Sequence, residues 1–224
     1  IGSGKTRQIT KGKWIVSSFE GFDPEGKYAF YYGTADSPLN RHYYRVNIAN
    51  GKIEKITAED GIHTVYSNKR KDLFIDSFNN SIIPGKVVLR DLKSKNLAVL
   101  LEATNPLADY KLGKDTIFTI KAEDGTDLYC KLIKPADFDA SKKYPVIVYV
   151  YGGPHAQLVT NSFTRGRYDL WFQLMAQKGY CIFILDNRGS ENRGLTFEQA
   201  TFRNLSEIEI KDQLKGLDYL STLS

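Results

Sequence analysis

The sequence has 224 residues, of which 42% are hydrophobic and 25% charged, which is enough for one large domain or two smaller ones with ordinary cores. Its net charge of +5 is spread along the chain without a basic stripe, which argues against a nucleic-acid partner. No apolar run approaches the ~20 residues that a membrane-spanning helix needs.

The N-terminal part of the chain contains a short internal repeat. The segment Gly4–Thr10, GKTRQIT, is echoed 47 residues later by Gly51–Thr57, GKIEKIT. A self-similarity of this period is close to the ~40–50 residues of one β-propeller blade. The repeat therefore indicates a fold built from blade-like units.

Short strand patterns fill the same part of the chain. Runs of β-branched and aromatic residues alternate with turn sequences such as Asp23–Gly26 and Pro84-Gly85. The predicted strands are Trp14–Phe19, Tyr28–Tyr32, Tyr43–Ile48, Lys52–Ile56, His63–Tyr66, Leu73–Ser77, Lys86–Arg90 and Leu97–Leu101. Four short strands followed by four more are typical of two propeller blades, and a β-sandwich remains the alternative.

The pattern changes near Asn105-Pro106, where an α/β region begins. Two strands, 116–121 and 128–133, precede the run Pro145–Tyr151, which is apolar on both faces, as in a strand covered by helices on both sides. Cys181–Leu185 has the same character. From Pro145 onward the order is strand, helix, strand, helix, which predicts an open α/β sheet, and we expect residues from about 115 to form this separate, mostly parallel sheet.

Two helices are predicted in this region, near 167–178 and 207–221. Ser206 and Glu209 have the spacing of a capping box at the start of the second helix. The apolar stripe of that helix consists of Ile210, Leu214, Leu217 and Leu220.

Two loops follow the apolar strands, Tyr151–Gln157 and Asp186–Gly194. Ligands of open α/β sheets bind beyond the carboxyl ends of the strands, so these loops are the candidate site. Gly152 and Gly153 permit a tight turn and a close approach of a ligand. Tyr151 would offer a phenolic donor there, in the loop that supplies oxyanion-hole donors in α/β-hydrolases. From the residues alone, packing of Tyr151 in the core remains the alternative.

The sequence predicts neither a cofactor nor a metal site. Cys130 and Cys181 lie in apolar strand-like runs and have no CxxC partner, which predicts buried free thiols. The histidines, His42, His63 and His155, have no nucleophile beside them that would make one of them a catalytic base. We interpret His155 as a loop residue that shapes the rim of the site.

Three motifs resemble the prolyl oligopeptidase family of serine peptidases. They are Val150–Gln157, VYGGPHAQ; Ala176–Tyr180, AQKGY; and Asp186–Ser190, DNRGS. Within the family the resemblance is strongest to the dipeptidyl peptidase IV group, especially its bacterial members. The segment Asp36–Asn47, DSPLNRHYYRVN, resembles the last propeller blades of that group, and the likeness extends over nearly the whole chain.

This resemblance implies a β-propeller that caps an α/β-hydrolase domain. Residues 1–104 would be the last two blades, and residues 105–224 the N-terminal half of the hydrolase domain. The implied activity is the release of N-terminal dipeptides, after Pro or Ala, from peptides with a free N-terminus. The family's oxyanion tyrosine corresponds to Tyr151. The resemblance further implies a homodimeric full-length parent, with a periplasmic, secreted or membrane-associated location.

The sequence departs from the family pattern in two respects, one of which is that it does not show the paired glutamates that hold the substrate's amino group in the dipeptidyl peptidases. It contains no Gly-x-Ser-x-Gly motif, and Ser190 lies in an unrelated context. We expect the Ser, Asp and His of the triad beyond residue 224, so these residues alone should be inactive. A prolyl endopeptidase or an acylaminoacyl peptidase of the same fold, and a non-catalytic binding protein, remain alternatives.

Overall fold

The computed structural model describes residues 4–164 and 166–223, so the outer ends of both predicted domains lie outside the described residues. The chain forms two compact units. The first extends to Thr104 and also includes Asn161–Phe163, and the second contains the other residues from Asn105 onward. Within the described ranges, no helix combines the length and the apolar character that crossing a bilayer requires.

The first unit consists of two four-stranded antiparallel sheets, each with its strands in chain order. The first sheet contains β1 Val16–Phe22, β2 Tyr28–Gly33, β3 His42–Asn47 and β4 Ile53–Lys55, and the second contains β5 Ile62–Ser67, β6 Leu73–Asn79, β7 Lys86–Asp91 and β8 Asn96–Glu102. Two such meanders are two propeller blades, which confirms the prediction. Of the two repeat copies, the second contains β4, whereas residues 4–10 form no strand.

Aromatic rings form the core between the two blades. Phe30, Tyr43 and Phe74 are almost fully buried, and their ring centroids lie 5.9–6.0 Å apart. This spacing is typical of aromatic pairs in protein cores. A parallel bridge between Arg41 and Ile62 joins the blades at the backbone.

The second unit contains one mixed sheet of order β11-β12-β10-β9. Its elements are β9 Lys114–Lys121, β10 Asp127–Lys134, β11 Val146–Tyr149, α1 Arg167–Gln177, β12 Cys181–Asp186, α2 Leu195–Glu198 and α3 Ile208–Ser221. Among the described strands of this sheet, β11 pairs with β12 in parallel, whereas β10 pairs antiparallel with both of its neighbours. The prediction of a mostly parallel sheet is therefore wrong for these strands, because a tight turn joins β9 and β10 into a hairpin, and parallel strands need a longer crossover.

The centre of this sheet is buried. Every residue of β12 is buried, and Cys130 and Cys181 are buried free thiols, as predicted. Helix α3 lies close to β12, since a Cβ atom on Gly216 would be only 2.7 Å from Cε1 of Phe183 and 3.0 Å from Cδ1 of Leu185. Glycine at this position lets α3 lie directly on the strand.

Helix α3 differs from its sequence prediction at its start. The N-cap is Glu207, without a side-chain capping hydrogen bond, and Ser206 has a φ of 71°. The predicted capping box is therefore absent, because Ser206 adopts the left-handed conformation, whereas an N-cap residue has extended backbone angles.

Three of the four residues of the predicted apolar stripe of α3 face away from the sheet core, whereas Leu220 packs against it. Ile210, Leu214 and Leu217 are 54%, 52% and 46% exposed. The helix instead buries Glu209, Asp212 and Gly216. Helical periodicity identifies the apolar face of a helix, and in the described part of the chain this face stays exposed.

Candidate functional site

The two predicted site loops lie together at the carboxyl ends of β11 and β12. These strands run in parallel, so the loops that follow them leave the same edge of the sheet. The backbone N–H of His155 donates to the carbonyl of Gly189 at 3.3 Å, and the amide group of Asn192 donates to Oε1 of Gln157 at 3.0 Å. The two loops therefore form one surface.

Tyr151 stands at the mouth of this surface. Its side chain is 62% exposed, so it is not part of the described core. Gly152 has a φ of 75°, which favours glycine, and a Cβ atom on Gly153 would lie 3.1 Å from Cε1 of Tyr151. The two glycines thus turn the chain beneath the ring and leave the phenol accessible.

A cavity of about 470 Å³ opens beside Tyr151, which is within the usual range for ligand sites. Its walls are largely apolar and are formed by the Tyr151 loop and by the exposed stripe of α3, with Val150, Ile210, Leu214 and Leu217. Glu209 also lines it, and its buried Oε2 atom has no hydrogen-bond partner among the described residues.

A buried carboxylate, that of Asp186, joins the two loops from below. Asp186 is the last residue of β12 and is 6% exposed. Its Oδ1 accepts the backbone N–H of Leu158, and its Oδ2 accepts that of Val159, both at 2.9 Å. Burial raises the pKa of the Asp186 carboxyl to about 6, although the two hydrogen bonds oppose this shift.

A second buried carboxylate, that of Asp212, holds the other loop. It is fully buried on α3 and accepts hydrogen bonds from the guanidinium and the backbone N–H of Arg188. Arg188 also reaches Asp124 in the β9–β10 turn, at 2.7 Å. The Asp212 hydrogen bonds are the main reason why the pKa of Arg188 is raised, so its positive charge is fixed.

The other candidate residues do not form a nucleophile–base pair. Ser190 is buried, and its hydroxyl donates to the carbonyl of Asn187 at 2.7 Å. His155 is exposed and pairs through Nδ1 with Glu198 at the rim. His42 and His63 are buried within the blades. In the ranges 4–164 and 166–223, no cluster of three or more His, Cys, Asp or Glu side chains could hold a metal ion.

Two family models match the chain, one in each unit. The model for the dipeptidyl peptidase IV N-terminal region matches residues 2–85, and the model for the prolyl oligopeptidase family matches residues 167–224. The chain belongs to the prolyl oligopeptidase family. This membership agrees with the order of its units, since two propeller blades precede the start of an α/β-hydrolase sheet.

Relatives within the family are dipeptidyl peptidases. Dipeptidyl peptidase 8 from Homo sapiens is 36% identical over 231 residues, which cover 96% of this chain and 25% of the relative. The structure of a candidate dipeptidyl aminopeptidase IV from Bacteroides ovatus is 44% identical, with a TM-score of 0.89, over 98% of this chain and 31% of that chain. The structure of dipeptidyl peptidase 4 from Porphyromonas gingivalis is 27% identical, with a TM-score of 0.87, over 97% of this chain and 31% of that chain.

The chain thus spans 25% to 31% of the length of these relatives. The two loops that the sequence marked as a candidate site do lie together, and the oxyanion role of Tyr151 stays a prediction, whereas the sequence patterns did not point to Asp186 and Asp212. The signal for Asp186 was present, because a single carboxylate directly follows the apolar run of β12. For Asp212, the only signal was its place on a polar face of α3.

Proposed function

We propose that these residues are part of a serine peptidase that releases N-terminal dipeptides, after Pro or Ala, from peptides with a free N-terminus. The observation that carries the proposal is the similarity of nearly the whole chain to dipeptidyl peptidases. One solved structure is 44% identical over 98% of the length of this chain. The nucleophile, base and orienting acid would be supplied by another part of the whole protein.

In this proposal Tyr151 is the side-chain donor of the oxyanion hole. Attack of the serine on the scissile carbonyl places negative charge on its oxygen, and a donor aimed at that oxygen lowers the barrier. The exposed phenol, the glycines beneath it and the adjacent cavity are consistent with this role. Gly152 and Gly153 shape the loop and take no part in the chemistry.

The proposed partners are peptide substrates and a second copy of the whole protein, in a homodimer. We propose a periplasmic, secreted or membrane-associated location by analogy with the family. Neither a nucleic acid nor a cofactor is part of the proposal.

The test is the hydrolysis of matched chromogenic substrates by the whole protein. We expect turnover of Gly-Pro-p-nitroanilide and none of N-acetyl-Gly-Pro-p-nitroanilide, because a dipeptidyl peptidase requires a free amino group. Cleavage of N-acetyl-Gly-Pro-p-nitroanilide would instead indicate an endopeptidase. Preferential cleavage of N-acetyl-Ala-p-nitroanilide would indicate an acylaminoacyl peptidase. No turnover of any substrate would indicate a non-catalytic protein. The 224-residue chain alone serves as the negative control.

A further inference from the structure

We propose that Asp186 is a positioning residue, whose carboxylate anchors the loop that presents Tyr151. This inference rests on the proposed role of Tyr151 in the oxyanion hole. The loop has a fixed start, because Tyr149 pairs with Ile184 at the end of β11. From position 150 to 160 it has neither helix nor strand, so its amides lack the regular partners that a sheet provides.

Asp186 supplies the partners at the far end of the loop. Its two oxygens accept the N–H groups of two consecutive residues, Leu158 and Val159, each at 2.9 Å. Val159 is fully buried and Asp186 nearly so, so both bonds are shielded from water. Tyr151 therefore lies on a loop held by β11 on one side and by this carboxylate on the other.

Two of the hydrogen bonds that join the loops nearer the rim are of a different kind. The contacts of His155 with Gly189 and of Asn192 with Gln157 join neutral groups. Hydrogen bonds to an ionised carboxylate are about twice as strong as neutral ones. Asp186 is therefore a stronger anchor than either of these two bonds whenever it is ionised, and the contact of His155 with the carboxylate of Glu198 involves a largely exposed side chain.

The ionised form of Asp186 is maintained against an unfavourable environment. Burial is the largest influence on this group and favours the neutral acid. The charged groups that act on it are Lys131 on β10 and Arg193 in the loop that begins at Asp186, and the charge of Asp186 in turn raises the pKa of the Cys130 thiol on β10. A buried carboxylate of this kind is expected to serve a purpose other than stability.

The first test is Asp186→Asn in the whole protein. Asparagine keeps the shape, but its NH₂ group replaces one acceptor and faces a backbone donor. We expect kcat to fall by about tenfold, with little change in KM, because a tenfold change in rate corresponds to the free energy of about one hydrogen bond. Hydrogen exchange at Leu158 and Val159 should accelerate. The matched control is Asp139→Asn, since Asp139 also accepts a backbone N–H, from Ser141 at 3.0 Å, on an exposed turn.

The second test is a double-mutant cycle with Tyr151→Phe. If Asp186 acts through the Tyr151 hydroxyl, Asp186→Asn should change kcat by less than about threefold once that hydroxyl is gone. An equal loss of kcat in both backgrounds would overturn the positioning role. An inactive wild-type protein would refute the proposed function, and with it the positioning role of Asp186. Hydrogen exchange at Leu158 and Val159 would still show whether Asp186 anchors the loop.

A third measurement needs no variant and covers the case in which Asp186→Asn does not fold. In the wild-type protein, protonation of Asp186 below a pH of about 6 removes one acceptor from the loop. After correction for intrinsic exchange, protection of the Leu158 and Val159 amides should fall across this range. Leu158 and Val159 amides that exchange at their intrinsic rates at pH 7.5, where Asp186 is ionised, would contradict the anchor.

Discussion

Arg188 and Asp212 face each other in a two-pronged ion pair. Nη2 of Arg188 lies 2.7 Å from Oδ1 of Asp212, and Nε lies 3.1 Å from Oδ2. The same carboxylate also accepts the backbone N–H of Arg188 at 2.8 Å. The pair fixes the loop after β12 on helix α3, which forms the far wall of the cavity beside Tyr151.

Asp212→Asn should destabilise the hydrolase unit. The side chain of Arg188 is only 12% exposed, so removing its partner's charge leaves a poorly solvated cation, with Asp124 as its remaining partner. Breaking a buried pair typically costs about 3 kcal/mol or more. Thermal denaturation of the whole protein should show the lower melting temperature. Asp218→Asn, on the exposed face of the same helix, is the control, and equal melting of the two variants would refute the prediction.

Tyr151→Phe should lower kcat and leave stability almost unchanged. The change removes the proposed oxyanion donor and keeps the ring, and loss of one such donor typically reduces kcat by ~10²–10³. An exposed hydroxyl contributes at most about 1 kcal/mol to folding. Steady-state kinetics and melting curves of the whole protein measure both effects. Tyr110→Phe is the control, since Tyr110 is 63% exposed, close to the 62% of Tyr151. Normal kcat in Tyr151→Phe would remove Tyr151 from the mechanism.

A histidine pair is buried where the two blades meet. The ring centroids of His42 and His63 lie 5.1 Å apart. Nδ1 of His42 is hydrogen-bonded to Oγ1 of Thr57 at 2.9 Å, and its buried Nε2 has no hydrogen-bond partner among the described residues. Burial, followed by the charge of His63, lowers the pKa of His42 to about 4.

The blades should therefore lose stability in mild acid. Between a pH of about 6.5, the ordinary pKa of histidine, and about 4, the unfolded chain binds a proton at His42 and the folded chain does not. Stability contributed by neutral His42 is complete above this window and declines through it, by about 3 kcal/mol at most. Chemical denaturation of the whole protein at several pH values measures this slope.

His42→Asn should flatten the decline, because asparagine keeps an acceptor for Thr57 and does not titrate. His155→Asn should retain it, since the side chain of His155 is 73% exposed. If the His42→Asn protein loses as much stability as the wild type between pH 6.5 and 4, His42 is not the group responsible.

The 224-residue chain, produced alone, should self-associate. Strand β11 lies at the edge of the described sheet, and the apolar stripe of α3 is exposed beside it. Unpaired edges and apolar patches recruit other chains. In sedimentation velocity we expect oligomers, and Leu214→Lys should shift them towards monomer. Leu195→Lys, at a residue 67% exposed and outside this cavity, should not. A wild-type chain that stays monomeric at high concentration would contradict this expectation.

The blade strands were predictable because their evidence is local. Alternating aromatic and β-branched residues, bounded by turns such as Pro84-Gly85, specify each strand without reference to distant parts of the chain. The structure places β2 at Tyr28–Gly33 and β7 at Lys86–Asp91, within one residue of the predicted ends. The apolar strand β12, predicted at Cys181–Leu185 and observed at Cys181–Asp186, was equally predictable.

Features that depend on a distant partner were not predictable. Asp212 on α3 is buried because Arg188 binds it, and the hydrophobic periodicity of the sequence does not predict this pairing. The direction of β10 relative to β12 depends on how three segments pair in space. His42 and His63 are far apart in sequence and meet only because the blades stack. Tyr151 became a candidate through its motif, and the geometry alone would have suggested only an accessible phenol.

The three residues Asn161–Phe163 belong to the blade unit although they lie far along the chain. The amide group of Asn161 donates to Oδ1 of the buried Asn40 at 3.0 Å, and the N–H of Phe163 donates to Oδ1 of the buried Asn79 at 2.9 Å. This unit is therefore discontinuous in sequence, and no single cut in the gene separates it from the second unit. A recombination event or an engineered truncation that cuts after Thr104 would remove the partners of both asparagines. Transplanting these blades into another protein would require grafting this tripeptide as well.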